Sequence, residues 1–221
     1  MASELSNCIK ATSIMEVHHE STQFLIRDID TSLPLKEQAV LMFYKVRDYF
    51  VYDPYHLDLR PEKLKSSEIM KKKRAWCVEK SIVLATAFRA LGIPSRLGYG
   101  IVVNHIGVER LTEVLKRKEI VFHGYVSAYL DGKWVKTTPA FDRGVCRLTK
   151  VEPLSWDGEN DALLHAYQGK EKFMEYQHFY GEFDDVPVEL MNAEMEKYYP
   201  HLFVNEYNSP SFSFFHLRSK S

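Results

Sequence analysis

The stretch AWCVEKSIVLATAFRALGIPSR, residues 75–96, decides the fold class of this chain. Small and apolar side chains recur in it with the three- and four-residue spacing of one helix face. They are Cys77, Ser81, Leu84, Ala85, Phe88 and Leu91. Gly92 and Pro94 follow, as is typical just after the end of a helix. The stretch therefore predicts a core helix from Trp76 that carries Cys77 in its first turn.

A hairpin is the next clear feature, because Asp131-Gly132 is a strong two-residue turn signal between apolar runs at 122–130 and 133–138. Such a turn pairs Leu130 with Lys133 and, farther along, Tyr125 with Thr138. Alternation gives one face His123, Tyr125, Trp134, Lys136 and Thr138, and the other Phe122, Val126, Ala128, Val135 and Thr137. The second set is typical of a core face, and the first of a site.

Other elements are predicted around these two. Pro34 opens a helix that ends at Asp53-Pro54, and its apolar face carries Ala39, Phe43, Val46 and Phe50. Strands are predicted at 96–103 and 172–176, and helices at 108–118 and 188–199. Residues 55–75 are polar and basic, which favours a solvated loop or helix face over a binding patch.

We expect one domain at 31–200, preceded by an N-terminal extended segment at 1–30 and followed by a tail of uncertain order at 201–221. The length of 221 residues and a hydrophobic share of 45% are ordinary for a globular chain. No internal repeat or low-complexity tract divides it.

Composition excludes several classes of function. Lys and Arg total 29 against 30 acidic residues, so a net charge of −1 leaves no basic surface typical of nucleic-acid binding. No run reaches the roughly 20 apolar residues of a membrane span, and the first residues lack a signal-peptide pattern. Three scattered cysteines favour free thiols over disulfides. We expect a cytoplasmic protein with neither a nucleic-acid nor a membrane partner; its oligomeric state stays open.

Cys77 is the candidate nucleophile. A helix N-terminus and a nearby cation, here Arg74, lower a thiol pKa and favour the reactive thiolate. The alternative is that Cys77 is a small apolar core residue, which spacing alone supports equally well.

His123 is the favoured partner among nine histidines, because it begins a strand, precedes a glycine and shares a face with polar groups. It could instead be an edge-strand histidine hydrogen-bonded to a neighbour. No metal or cofactor is expected, since His18-His19 would point to opposite sides of a strand and the cysteines lack zinc-ligand spacing. A phosphate loop and a Gly-x-Ser-x-Gly motif are also missing.

The two blocks together resemble the transglutaminase-like superfamily over about residues 30–142. The first is Ala75-Trp76-Cys77, a small-residue helix and Gly92-Ile93-Pro94-Ser95-Arg96; the second runs from His123-Gly124-Tyr125 to Trp134-Val135. The resemblance implies an α+β, papain-like fold with the nucleophile helix packed on an antiparallel sheet. It also implies that Cys77 forms a thioester while His123 acts as base and then acid. Trp76 and Tyr125 are expected to contact a peptide, amide or small acyl substrate.

The third catalytic position departs from the family pattern. The family's aspartate before proline is Thr138 here, and the nearest carboxylate is Asp142. We expect Thr138 to orient His123 by position and Asp142 to be a possible charge partner.

Three hypotheses follow: a cysteine hydrolase or amidotransferase, an inactive relative that serves as a binding module, and a thiol enzyme such as a cyclase acting on a small molecule. The two matched blocks support the first, and Thr138 motivates the second.

Overall fold

The structure is a computed structural model that describes residues 2–104, 109–163, 174–203 and 211–213. Its helices are α1 (Ala2–Asn7), α2 (Glu20–Ile26), α3 (Leu35–Tyr49), α4 (Ser66–Met70), α5 (Cys77–Ala90), α6 (Glu109–Leu115), α7 (Arg143–Thr149), α8 (Val188–Tyr198) and α9 (Pro200–Phe203), with a 3₁₀ turn at Pro61–Lys63. Its strands are β1 (Val51–Tyr52), β2 (His56–Asp58), β3 (Arg74–Ala75), β4 (Ser95–Asn104), β5 (Glu119–Leu130), β6 (Lys133–Thr137), β7 (Met174–Phe183) and β8 (Ser211–Ser213).

A four-stranded antiparallel sheet in the order β6-β5-β4-β7 carries the second block. The predicted hairpin register is confirmed, since Leu130 pairs with Lys133 and Ala128 with Val135. The β5–β6 ladder ends at Val126 and Thr137. Beyond it, the N–H of Thr138 donates to the carbonyl of Ala162 at 3.2 Å, so the predicted Tyr125–Thr138 pair does not form. The edge of β5 next to His123 is therefore not covered by β6.

The core is built around α5, which packs against β4, β5 and three other helices. From Cys77 to Arg89 every residue of α5 is buried. A helix that is small and apolar on nearly all sides must lie inside the protein. The buried Lys80 of α5 donates to the carbonyls of Arg47 and Ala140, both at 2.8 Å, and so ties the chain after β6 to the helix.

The prediction of an extended segment at 1–30 is wrong, because α1 and α2 are helical. His19 begins α2, and its ring Nδ1 accepts the N–H of Ser21 at 3.2 Å. Leu25 is buried in the common core. The segment is so short that the helical spacing of its apolar residues cannot be distinguished from the alternation expected of a strand.

The prediction of a solvated stretch at 55–75 is also corrected. Four of its apolar side chains are buried in the core, and they are Leu57, Leu59, Leu64 and Ile69. Basic residues occupy the surface positions between them, which made the stretch look solvated. In the predicted tail, Ser211–Ser213 pairs with β2. Residues 204–210 and 214–221 lie outside the described residues.

A bulge in β5 separates the core-facing residues from the site. The register with β4 shifts between Gly100 and Val102, and Phe122 takes a left-handed φ of +60°. A bulge of this kind redirects the side chains that follow it. His123 is the next residue, so the bulge sets the direction of its ring. None of the helices in the described part of the chain is long and apolar enough to cross a membrane.

Candidate active site

Cys77 is the first residue of α5 and is only 1% exposed. The preceding residue, Trp76, has the extended backbone expected before a helix, and its N–H reaches the carboxylate of Glu79 at 3.4 Å. Glu79 is itself buried and paired with Lys72. This local cap fixes the first turn and hence the position of the thiol.

Four donor groups lie near the Cys77 sulfur and act on its pKa. They are the backbone N–H groups of Gly124, Val78 and Cys77 itself and the hydroxyl of Tyr52. Each donor lowers the pKa of the thiol, because hydrogen bonds favour the thiolate. Burial outweighs them and raises the pKa of Cys77 to about 11.

The predicted thiolate at neutral pH is therefore wrong for the resting protein. Arg74, the cation expected beside Cys77, is 66% exposed, and its guanidinium lies 3.8 Å from the carboxylate of Asp53. The helix N-terminus is present as predicted. Desolvation of the sulfur, which the sequence does not reveal, decides the direction of the shift.

Gly124 brings β5 against the start of α5. A Cβ on Gly124 would lie 3.0 Å from Val78 Cα and 3.1 Å from the carbonyl oxygen of Cys77, so a larger residue would push the helix away. Leu130 pairs with Lys133 next to the turn, so its N–H points toward β6. Because N–H groups alternate between the two sides of a strand, the N–H groups of the other even-numbered residues, Gly124 included, point the same way. Since β6 ends at Thr137, the sulfur occupies the edge position that β6 leaves open at Gly124.

His123 precedes Gly124 and is 1% exposed. Its Nδ1 lies 3.0 Å from the hydroxyl oxygen of Tyr176 on β7. The Tyr176 ring stacks on Phe179 at a centroid distance of 4.6 Å. A Cβ on Gly100 would lie 2.8 Å from this ring, so the glycine in β4 makes room for Tyr176. The orienting contact to the imidazole thus comes from a strand more than fifty residues away in the sequence.

Thr138 and Asp142 occupy positions that differ from the expected ones. The Thr138 hydroxyl donates to the Gly124 carbonyl at 2.9 Å. Asp142 begins α7, where Oδ1 accepts the N–H of Gly144 at 2.7 Å, and its Oδ2 accepts the N–H of Tyr52, also at 2.7 Å. Both residues hold the chain segments that present Gly124 and Tyr52 to the sulfur, whereas Tyr176 makes the contact to Nδ1.

Tyr176 and Tyr52 are the site residues that sequence reasoning missed. The predicted strand at 172–176 contained Tyr176, but its pairing with β4 is a long-range contact that no local pattern announces. Tyr52 lies in the two-residue strand β1, which pairs with β3 immediately before Cys77. The Asp53-Pro54 helix stop was the nearest signal, since it marks where the chain turns toward the site.

An open cleft of about 420 Å³, its solvent-filled mouth included, leads to Cys77. Its lining residues are Tyr52, Pro54, Leu57, Trp76, Cys77, Leu111, Leu115, Ile120, Val121, Met195, Tyr199 and Leu202. Within the described part of the chain, the buried Nε1 of Trp76 has no hydrogen-bond partner. The Trp76 side chain is part of the cleft lining, and its role in substrate binding stays a prediction.

Tyr125, the other expected substrate contact, is 1% exposed and packs in the sheet. Its ring lies edge-on to Tyr176 at 6.2 Å, and Lys136 Nζ is 5.7 Å from its centroid. A Cβ on Gly98 would overlap the ring, so Tyr125 fills space above that glycine. This packing makes Tyr125 a support for Tyr176. Across residues 2–104, 109–163, 174–203 and 211–213, no group of three or more His, Cys, Asp or Glu side chains could hold a metal ion.

Comparison with known proteins gives a family. The profile of the transglutaminase-like superfamily matches residues 23–139, more than half of the chain. No curated protein matches. One similar solved structure is described as a "Putative Cysteine Protease" from Cytophaga hutchinsonii, at 11% identity and a TM-score of 0.49. The match covers 63% of this chain and 43% of that one, so this chain spans less than half of that protein. The α+β, papain-like arrangement and the family match together show that the chain belongs to the transglutaminase-like superfamily.

Proposed function

We propose that this protein is a cysteine hydrolase that cleaves an ester or amide through a thioester on Cys77. The observation that carries the proposal is a thiol at the first residue of α5 that lines a cleft and has the N–H groups of Gly124 and Val78 and the hydroxyl of Tyr52 near it as donors. His123 lies one residue from Gly124, whose N–H is one of those donors. A nucleophile, an acid–base group and preorganised donors are the parts that acyl transfer needs.

The proposed reaction begins with a neutral thiol. His123 takes the proton of Cys77 through Nε2 as the sulfur bonds to the substrate carbonyl carbon. The oxygen that becomes negative is stabilised by the N–H of Cys77 and the hydroxyl of Tyr52, and the Trp76 ring contacts the substrate in the cleft. Collapse breaks the bond to the alcohol or amine, which leaves with the proton from His123.

Water completes the proposed cycle. His123 removes a proton from water as its oxygen attacks the thioester carbonyl, and the carboxylic acid is released as Cys77 recovers its proton. We favour water over an amine as the acceptor, because the described residues of the cleft lining include no carboxylate that would bind an ammonium group.

Tyr176 has the role of a positioning residue in this scheme. Burial raises the pKa of its phenol well above the ordinary value, so the phenol is neutral at physiological pH. A neutral phenol oxygen can accept the Nδ1 proton and fix the tautomer in which Nε2 is a base. It supplies no full negative charge to an imidazolium, so we propose proton transfer coupled to attack in place of a standing ion pair.

The second candidate is a binding module that uses the same cleft without turnover. The raised pKa of Cys77 and its 1% exposure favour this alternative. A module of this kind would bind ligands without hydrolysing them.

The deciding experiment measures hydrolysis of activated esters and trapping of an acyl group on the protein. Cys77→Ser should abolish turnover, and acid quenching of the wild type should leave an acyl group on the peptide that contains Cys77. Cys146→Ser is the matched control, since Cys146 is equally buried but lies in α7. Equal rates in wild type and Cys77→Ser would overturn the proposal. Ligand binding without turnover would support the binding module.

The partner class and location stay predictions. We propose a small or peptide acyl substrate in the cytoplasm, supported by the near-neutral charge and by cysteines that are free in the structure.

A further inference from the structure

The walls of the cleft that contains Cys77 are mainly apolar. Three helices and two strands supply aliphatic or thioether side chains, which are Leu57, Leu111, Leu115, Ile120, Val121, Met195 and Leu202. The four helical residues among these are at most 6% exposed. A polar ligand group placed between such walls would lose its water without regaining hydrogen bonds. The walls therefore favour an apolar ligand group.

The phenols of the lining are already hydrogen-bonded. The Tyr199 hydroxyl donates to the Glu119 carbonyl at 2.7 Å and accepts the N–H of Val121 at 2.9 Å. The Tyr52 hydroxyl is bonded to the Cys77 sulfur. Tyr199 thus presents its ring to the cleft and its oxygen to the backbone, while Tyr52 directs its polar end at the reacting atom. Polar recognition is concentrated at the sulfur end.

The cleft is continuous with the nucleophile. Cys77 and Trp76 line the same cleft as the apolar residues of α6, α8 and α9. A carbonyl carbon at the sulfur must therefore have its substituent along the apolar walls.

We propose that the substrate is an ester or amide of an aliphatic carboxylic acid, whose alkyl chain lies in this cleft while its carbonyl meets Cys77. This inference rests on the proposed hydrolase function and adds the acyl group that the site selects. The Cys77 sulfur bonds to the acyl carbon, the alcohol or amine leaves with the proton from His123, and water then releases the aliphatic acid.

A series of 4-nitrophenyl esters tests the inference. From acetate through butanoate and hexanoate to octanoate, kcat/KM should rise by up to about fourfold for each methylene that is buried, after correction for the hydroxide rate of each ester. Leu115→Ala should reduce the ratio of the octanoate rate to the acetate rate about tenfold. Val114→Ala, on the same helix but outside the lining, is the matched control. A flat or falling series with Cys77-dependent hydrolysis would overturn the inference alone.

N-alkyl maleimides provide a readout that needs no turnover. Labelling of Cys77, located by mass spectrometry and corrected for reactivity with free thiol, should be faster for octyl than for ethyl maleimide. Chain-length selectivity without ester hydrolysis would refute the hydrolase and retain the alkyl preference of the cleft. No hydrolysis and no chain-length selectivity would overturn both. Preference of wild type for a charged acyl chain, such as succinate, would overturn the inference directly.

Discussion

The two sides of the candidate active site are built from different parts of the sequence. On the thiol side, Cys77 and the donor residues Val78 and Tyr52 lie in neighbouring parts of the sequence. The pairing of β1 with β3 brings Tyr52 next to the start of α5. On the imidazole side, His123 depends on Tyr176, which reaches it only because β7 pairs with β4. Gly124 is the residue that joins the two sides.

The two sides also differ in how they hold charge. The thiol is surrounded by four donors that would stabilise a thiolate, yet burial keeps it protonated. The imidazole of His123 contacts the neutral phenol of Tyr176, whereas a carboxylate at this position could stabilise a positive charge on the ring. Burial keeps the thiol neutral, and the contact to the imidazole carries no full charge, so the proposed reaction depends on preorganised groups more than on a resting ion pair.

Removing the imidazole of His123 should have the largest effect on the rate of hydrolysis. We expect His123→Ala to lower kcat by about 10²–10⁴-fold, because the neutral thiol would lose its proton acceptor. Steady-state hydrolysis of the best ester measures the change. His178→Gln is the control, since His178 is an exposed histidine on β7. A loss of less than threefold in His123→Ala would show that another group takes the proton.

The thiol side is tested by Tyr52→Phe, which removes a donor and keeps the ring. We expect kcat to fall about 10²-fold if the hydroxyl stabilises the oxygen that becomes negative, with little change in KM. Tyr49→Phe is the matched control, because Tyr49 is 42% exposed. An effect on KM alone would assign Tyr52 to ground-state binding.

The charge state of the thiol predicts a steep pH dependence of alkylation. Because burial raises the pKa of Cys77 to about 11, iodoacetamide labelling should increase about tenfold per pH unit between pH 7 and 9.5. The rate of modification of the Cys77 peptide, followed by mass spectrometry with circular dichroism as a check on folding, measures it. A plateau below pH 8 would mean that the thiolate forms readily, contrary to the desolvation argument.

The smallest effect is expected from the support of the imidazole. Tyr176→Phe should lower kcat about three- to tenfold and narrow the pH range of activity, because Nδ1 loses its partner while the ring packing remains. Asp142→Asn should change the rate less than Tyr176→Phe and cost about 1 kcal/mol of stability, as expected for a weakened helix cap. Kinetics and urea unfolding of both variants separate the roles. A larger loss of rate in Asp142→Asn than in Tyr176→Phe would show that Asp142 takes part in catalysis.

The local sequence was sufficient to predict the parts of the fold that rest on short-range patterns. Periodicity placed Cys77 at the start of α5, and Asp131-Gly132 fixed the hairpin register from Val126 to Leu130. The α+β, papain-like class followed from those two blocks and is confirmed by the family match. A turn of two residues and a continuous apolar stripe leave few alternative structures.

The tertiary structure alone decided the environment of these residues. Tyr176 contacts His123 because β7 and β5 both pair with β4, and the desolvation of Cys77 depends on every element packed around α5. The apolar cleft likewise needs α6, α8 and α9 to meet at one place. Sequence spacing encodes which residues share a face of one element, whereas burial, pKa and the partner of an imidazole depend on neighbours that only the folded chain brings together.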